Sequence, residues 1–152
     1  MRSYKAVKLF TEQLQRNVRN GDNYKTKVVM TPTSIEEKGV IIKVSVLKTT
    51  PDQNYQANRH QRTVKLRVQV AGAIESHEGL RQAVNAIEAL DQYLLTPGIR
   101  LEEMIEGEIH QIPNTRIQQD ISPEDSFIDA PDSLTVQDVA DDRYVFITIP
   151  ED

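Results

Sequence analysis

The fold of this chain is decided by the stretch Thr63-Val64-Lys65-Leu66-Arg67-Val68-Gln69-Val70, in which apolar and polar residues alternate. This period of two turns the apolar residues to one face of a strand and Lys65, Arg67 and Gln69 to the other. The apolar face is expected to enter a core, and the polar face to meet water or another molecule. The stretch therefore predicts a strand with one buried face.

A second β-patterned segment, Val40–Leu47, precedes this stretch and predicts its partner in a hairpin. The residues between the two segments, Lys48 to Arg62, are mostly polar and include Pro51, and they are too many for a tight turn. We therefore expect a hairpin with a long, protruding loop. Long loops on compact domains usually contact something.

Two amphipathic helices are predicted, one on each side of the hairpin in the chain. The first carries its apolar residues at spacings of three and four, and the second is expected from Ser76, as N-cap, to Leu95. The apolar positions are Ala6, Val7, Phe10, Leu14 and Val18 in the first helix, and Leu80, Ala83, Val84, Ile87, Leu90 and Leu94 in the second. Gln13 is placed on the polar side of the first helix. Both apolar stripes are expected to pack into the core.

Other parts of the chain give weaker patterns. Tyr24–Met30 predicts a short strand, and Leu101–Ile112 predicts a short helical turn that leads into a strand. Residues 113–133 have little periodicity and are expected to form an irregular excursion.

The end of the chain predicts a hairpin of Leu134–Val139 and Tyr144–Ile149 that turns at Asp141-Asp142. Together these patterns predict an α+β fold in a single domain over residues 1–152. Its sheet is expected to be mixed or antiparallel, with a long-looped hairpin and two main helices packed on it.

The two halves of the chain carry opposite charge. Residues 1–70 hold 14 Lys and Arg against 5 Asp and Glu, and residues 71–152 hold 4 against 18. If the two charge sets lie on separate faces, the basic face of one subunit can meet the acidic face of the next. Such head-to-tail contacts close into rings. Pairing of the two charge sets within one monomer is the alternative interpretation.

The composition argues against several classes of function. The chain has no cysteine and no apolar run of the roughly 20 residues that a membrane-spanning helix needs. Its six glycines form no phosphate-binding loop. His60, His77 and His110 lack the spacing of a metal-binding helix, and the late carboxylates lack the pattern of a calcium loop. We expect no enzyme activity, no cofactor, no metal and no membrane contact.

The order of these elements resembles the tail terminator proteins of long-tailed bacteriophages, to which cap proteins of contractile injection systems are related. The resemblance covers most of the chain and is best at the second hairpin strand, Thr63–Val70, and the helix that follows it. It implies a structural virion protein that caps the tail tube or sheath as a ring, typically a hexamer. Such a ring stops tail elongation and joins the tail to the head connector.

The resemblance also implies partners and a location. The partners would be further copies of the chain, tail tube and sheath proteins, and head connector or neck proteins, with non-specific DNA contact in the lumen. The location would be the tail or neck of the virion, after assembly in the host cytoplasm.

Two surfaces are assigned within this hypothesis. The residues expected to face the tube or lumen are Asn54, Tyr55, Arg59 and Arg62. The residues expected at subunit interfaces are Lys65 and Arg67 on the basic side, and Asp138, Asp141 and Asp142 on the acidic side.

Three alternatives stay open. The chain could be another adaptor of the same particle, such as a head-to-tail connector, a neck protein or a sheath-capping protein. A metal-dependent enzyme would use the late carboxylates and should be stabilised by its ligand. A regulator with one basic face would bind nucleic acid in a salt-sensitive way.

Overall fold

The computed structural model describes residues 1–18, 27–30, 40–54, 59–73, 77–120 and 138–150. Within these ranges lie two helices and seven strands, and the predicted α+β class is confirmed. In chain order the elements are α1 (Ser3–Asn17), β1 (Lys27–Met30), β2 (Ile41–Asn54), β3 (Arg59–Ala73), α2 (His77–Leu94), β4 (Glu102–Ile105), β5 (Glu108–Gln111), β6 (Arg116–Asp120) and β7 (Asp138–Pro150).

The main sheet is mixed and has the strand order β1-β2-β3-β7-β6. β1 runs parallel to β2, and every other neighbouring pair is antiparallel. β3 lies at the centre, between β2 and β7, and its apolar residues Val64, Leu66, Val68 and Val70 are fully buried. The alternation in β3 therefore decides which face of the sheet is covered.

Both helices pack on that covered face. Phe10 and Leu14 of α1 and Leu90 of α2 share one core with the apolar residues of β3 and β7. The opposite face carries Lys65, and its cross-strand neighbour Phe146 is on β7. The sheet is thus apolar toward the helices and polar on its other side, as the period of two predicts.

The β2–β3 hairpin is confirmed, but its strands are longer than the sequence predicts. Most residues expected in the loop pair as strand, from Lys48 opposite Lys65 to Asn54 opposite Arg59. The polar composition was misleading because residues Val46 to Pro51 are exposed, and a strand in water needs no apolar alternation. Leu47 is the extra residue of a β-bulge between Val46 and Lys48.

The predicted hairpin at the end of the chain is wrong, because β7 runs as one strand through Asp141 and Asp142. Asp142 Oδ2 accepts a hydrogen bond from Arg67 at 2.7 Å, and Asp141 Oδ1 accepts one from Arg143 at 2.6 Å. These cations neutralise the carboxylates, so the strand continues where the sequence suggested a turn. Residues 134–137 lie outside the described residues.

Two other stretches differ from their predictions. Arg116–Asp120 is a strand, β6, although an irregular excursion was expected there; residues 121–133 lie outside the described residues. β4 and β5 form a small antiparallel hairpin in place of a helical turn. Its turn residues Glu106 and Gly107 have φ values of 50° and 82°, a backbone conformation that reverses the chain within two residues.

Candidate functional site

Ion pairs connect the basic and acidic halves of the chain within the monomer. Among the described residues, the pairs that do so are Lys5–Glu103, Arg16–Glu102, Lys65–Asp120 and Arg67–Asp142. Part of the charge of each half is therefore paired with the opposite charge of the other half inside one subunit. For these residues, the structure has the monomer-internal pairing that was the alternative to contacts between subunits.

Lys65 and Arg67, predicted at a subunit interface, both have partners in their own chain. Lys65 Nζ lies 3.8 Å from Asp120 Oδ2 and 5.4 Å from the ring centroids of Tyr144 and Phe146. Arg67 Nη2 lies 2.7 Å from Asp142 Oδ2, and only 3% of the Asp142 side chain is exposed. The structure thus brings together two predicted interface residues, Arg67 and Asp142, within one subunit. Their contact with an adjacent subunit stays a prediction.

The other two predicted acidic residues lie elsewhere on β7. Asp141 faces Arg143 in its own chain, as described above. The backbone of Asp138 pairs with Ala73, whereas Arg67 pairs with Tyr144, so Asp138 lies well along the strand from Arg67. The side chain of Asp138 lies outside what the structure describes.

The residues predicted to face the tube or lumen lie at the far end of the β2–β3 hairpin. Asn54 and Arg59 pair through their backbones at the last described position, and Tyr55 lies outside the described residues. Arg62 Nη1 donates to Thr49 Oγ1 across the two strands at 3.1 Å. The hairpin is therefore ordered as paired strand as far as Asn54, and its contact with a tube or DNA stays a prediction.

This end of the hairpin exposes apolar side chains among basic ones. We call residues 45–54 of β2 and 59–67 of β3 the basic ribbon, because they hold five Lys and Arg against one Asp. β1 pairs with β2 only from Ile41 to Val44. Within the ribbon, Val46 is 48% and Leu47 is 46% exposed, and Lys48 follows them directly.

The β4–β5 hairpin exposes apolar side chains among acidic ones. We call residues 102–111 the acidic hairpin, because they hold four Glu and no Lys or Arg. Met104 and Ile109 are cross-strand neighbours and are 42% and 54% exposed, and Ile105 is 47% exposed. The spacing of Leu101, Met104, Ile105, Ile109 and Ile112 predicted a helical turn that leads into a strand, with these apolar side chains turned inward and the glutamates outward.

A buried glutamine anchors the acidic hairpin to the body of the domain. Gln13 is fully buried, which corrects its predicted place on the polar side of α1. Its Oε1 accepts the backbone N–H of Glu102 at 2.8 Å, and its Nε2 donates to the backbone oxygen of Arg100 at 2.9 Å and to the Tyr93 hydroxyl at 2.6 Å. Its position three residues after Phe10 and one before Leu14 was the signal that could have revealed it.

Further bonds hold the base of the same hairpin. Leu101 is fully buried, and its N–H donates to Thr115 Oγ1 at 3.0 Å. The N–H of Ile112 donates to the backbone oxygen of Leu101 at 2.8 Å, which closes the hairpin behind its two strands. An isolated two-stranded hairpin is only marginally stable in water. These hydrogen bonds therefore explain how the hairpin stays folded while its apolar tip is exposed to solvent.

The stripe of α2 also differs from its prediction. Ala83, Leu90 and Leu94 are buried as expected, but Leu80 and Val84 are each 40% exposed. Within the described residues, neighbouring exposed apolar side chains thus occur on α2, the basic ribbon and the acidic hairpin, and Tyr4 and Leu95 are exposed as well. Exposed apolar groups that cluster on a surface mark contacts with other molecules.

Within the described ranges, no group of three or more His, Asp or Glu side chains is arranged to hold a metal ion. No described helix has the length and apolar character needed to cross a membrane. Comparisons with protein-family models and with curated proteins found no match.

Proposed function

We propose that this chain is a structural subunit that assembles as a ring on the end of a bacteriophage tail tube, where it stops elongation and joins the tail to the head connector. The observation that carries the proposal is the basic ribbon. Its β2 strand exposes Val46 and Leu47 beside Lys48, while its β3 strand stays paired with β7 as far as Gln61.

The ribbon suits assembly for a physical reason. Residues Val46 to Pro51 of β2 are exposed, and the pairing of β1 with β2 ends at Val44. Exposed apolar side chains on such a strand can contact a neighbouring subunit without a change in the core. Surrounding Lys and Arg side chains would favour acidic partners and steer their approach.

The choice of a tail terminator among assembly proteins rests on the resemblance in element order. The chain has an amino-terminal helix, a strand, a long hairpin, a second helix and a terminal strand, with β4, β5 and β6 between the last two. The contacts with tube, sheath and connector, and a virion location, are parts of the same proposal.

Electron microscopy of the purified chain, alone and mixed with tail tubes of its own particle, tests this function. Light scattering on the same samples counts subunits. We expect rings in solution, or density that caps one end of each tube. A chain that binds connector rings and ignores tube ends would favour a neck adaptor instead. A monomer that ignores both would overturn the proposal.

A further inference from the structure

We infer that the acidic hairpin of one copy of this chain docks on the basic ribbon of a second copy. The inference deepens the assembly role proposed above and rests on the self-association that this role requires. It identifies the two surfaces that meet, and the residues at the centre of the contact are not the interface residues expected from the sequence.

Charge complementarity selects the two surfaces. Glu102 and Glu103 at the base of the hairpin face Arg16 and Lys5 in their own chain. Glu106 and Glu108 lie at the exposed tip and carry the hairpin's charge outward. On the ribbon, Lys48 is exposed next to the apolar pair. Opposite charges around two apolar patches favour their approach and suppress contact between like surfaces.

The apolar side chains supply the attraction at the centre of this contact. Met104 and Ile109, cross-strand neighbours on one face of the hairpin, would cover Val46 and Leu47 on the ribbon. All four are between 42% and 54% exposed in the single chain, so docking would remove apolar area from water on both sides. Charged residues around an apolar centre form the usual rim of a protein interface.

The ribbon edge itself is poorly suited to adding a strand. The bulge at Leu47 interrupts the regular ladder, and Lys48 and Pro51 follow on the same strand. Bulges, lysines and prolines are the features that discourage edge-to-edge pairing of strands. The contact is therefore expected through side chains and not through backbone strand addition.

The exposed pair on α2 is a poorer match for the hairpin. Leu80 and Val84 lie on a helix whose neighbouring positions include Glu78 and Glu88, and both glutamates are exposed. Arg81 donates two hydrogen bonds to Glu78, so the positive charge of Arg81 is already paired with a carboxylate of its own helix. An acidic hairpin that approached this helix would meet like charge.

The two surfaces are different parts of one chain, so the contact is heterologous. Each subunit offers its hairpin to one neighbour and its ribbon to another, which generates a ring or an open helix. Four apolar side chains cover far less than the roughly 1,200 Å² of a stable interface. We therefore expect a weak contact in solution that becomes stable when a ring closes or a tube end holds the subunits together.

Cysteine cross-linking tests the contact directly, because the natural chain has no cysteine. A Leu47→Cys chain with a mass tag is mixed with an untagged Ile109→Cys chain and oxidised mildly, with and without tail tubes. We expect a disulfide-linked heterodimer. The matched control pairs Val84→Cys with Ile109→Cys, since Val84 is similarly exposed, and should give none. A chain that carries both Leu47→Cys and Ile109→Cys should give a ladder of covalent oligomers.

The outcomes separate the contact from the proposed function. Tube capping without the 47–109 cross-link, or with an equal 84–109 cross-link, overturns the contact and leaves the function. Cross-linking without any capping supports the contact and overturns the tail role. The absence of both overturns both. A double variant that stops at the dimer would show a symmetric contact and would overturn the head-to-tail arrangement.

Charge reversal gives an independent measurement by sedimentation. Glu106→Lys with Glu108→Lys should raise the dissociation constant of self-association roughly tenfold. Each exposed ion pair stabilises a contact only modestly, and a tenfold change in a dissociation constant corresponds to a small free energy. Adding Lys48→Glu and Arg62→Glu in the same chain should restore it. If the first variant associates as strongly as the natural chain, Glu106 and Glu108 do not take part in the contact.

Discussion

The guanidinium of Arg143 binds both carboxylate oxygens of Asp91, at 2.5 Å from Nε to Oδ1 and 2.9 Å from Nη2 to Oδ2. The remaining nitrogen, Nη1, donates to Asp141 Oδ1 and to the backbone oxygen of Asp142. The hydrogen bonds that Arg143 donates to Asp91, followed by the one to Asp141, raise the pKa of Arg143 above its ordinary value although burial opposes this. One cation thus fixes α2 to β7 on the covered face of the sheet.

Replacement of Asp91 by alanine should destabilise the domain. The change removes two charge-assisted hydrogen bonds while Arg143 keeps Asp141, so we expect a loss of about 1–2 kcal/mol in unfolding free energy. Urea denaturation measures it. Glu88→Gln, on the exposed side of the same helix, is the control and should change stability by less than about 0.5 kcal/mol. Equal effects of the two changes would contradict a specific role for the pair.

Arg67→Ala should lower the stability of the monomer itself. The change leaves the buried carboxylate of Asp142 without its cation, and we expect a loss of about 2–3 kcal/mol. A second substitution, Asp142→Asn, should recover part of the loss because it removes the uncompensated charge. Lys43→Ala, on the same face of the sheet, is the control. An Arg67→Ala chain of normal stability that fails to assemble would instead favour the predicted contact of Arg67 with an adjacent subunit.

Gln13→Leu should loosen the acidic hairpin more than it perturbs the core. Leucine fits the size of the site but leaves the N–H of Glu102 and the carbonyl of Arg100 without their partner. We expect a loss of about 1–3 kcal/mol, together with faster hydrogen exchange at the Glu102 amide. Glu12→Leu, at an exposed neighbouring position of α1, should leave that exchange rate unchanged. Slow exchange in the Gln13 variant would show that other contacts hold the hairpin.

The sequence predicted the centre of the fold because one strict pattern decides it. Burial of Val64, Leu66, Val68 and Val70 follows from period two alone, and the α1 stripe follows from its three-and-four spacing. Residue type misled at Gln13, because a polar side chain was assigned to solvent although its helical position faces the core. Its hydrogen-bond partners at positions 93, 100 and 102 are distant in the chain, so the sequence around Gln13 contains no pattern that predicts them.

The candidate surfaces were harder to predict, for a related reason. Asp141 and Asp142 suggested a turn, since the cations that let a strand pass through them come from tertiary contacts. Met104 and Ile109 were assigned to a helical turn because the reversal at Glu106 depends on a left-handed backbone that glutamate seldom adopts. Apolar residues that remain exposed also look like core residues in any sequence pattern.

Deprotonation of Tyr93 should lower the free energy of unfolding at alkaline pH. Burial raises its pKa above the ordinary 10.0, while the hydrogen bond from Gln13 opposes the shift. The folded protein therefore keeps the phenolic proton to higher pH than the unfolded chain. The stability that Tyr93 contributes in this way is fully present below the pKa that Tyr93 has in the unfolded chain. It is lost as the pH rises through the pKa that Tyr93 has in the folded protein.

Comparison with Tyr93→Phe isolates that contribution. Urea denaturation between about pH 9 and pH 11 should show a shallower decline in the variant than in the natural chain. Tyr4→Phe is the control, since Tyr4 is 70% exposed. Parallel declines in the natural chain and the Tyr93 variant would show that Tyr93 titrates as an exposed tyrosine does.

Glu106→Asn should stabilise the acidic hairpin. Glu106 has a φ of 50°, and asparagine adopts this left-handed conformation more readily than glutamate does. We expect a gain of up to about 1 kcal/mol, seen as slower hydrogen exchange across β4 and β5. Glu106→Gln is the control, because it removes the same charge without the backbone preference. If both variants slow exchange equally, the cause is the loss of repulsion between Glu106 and Glu108 and not relief of the turn.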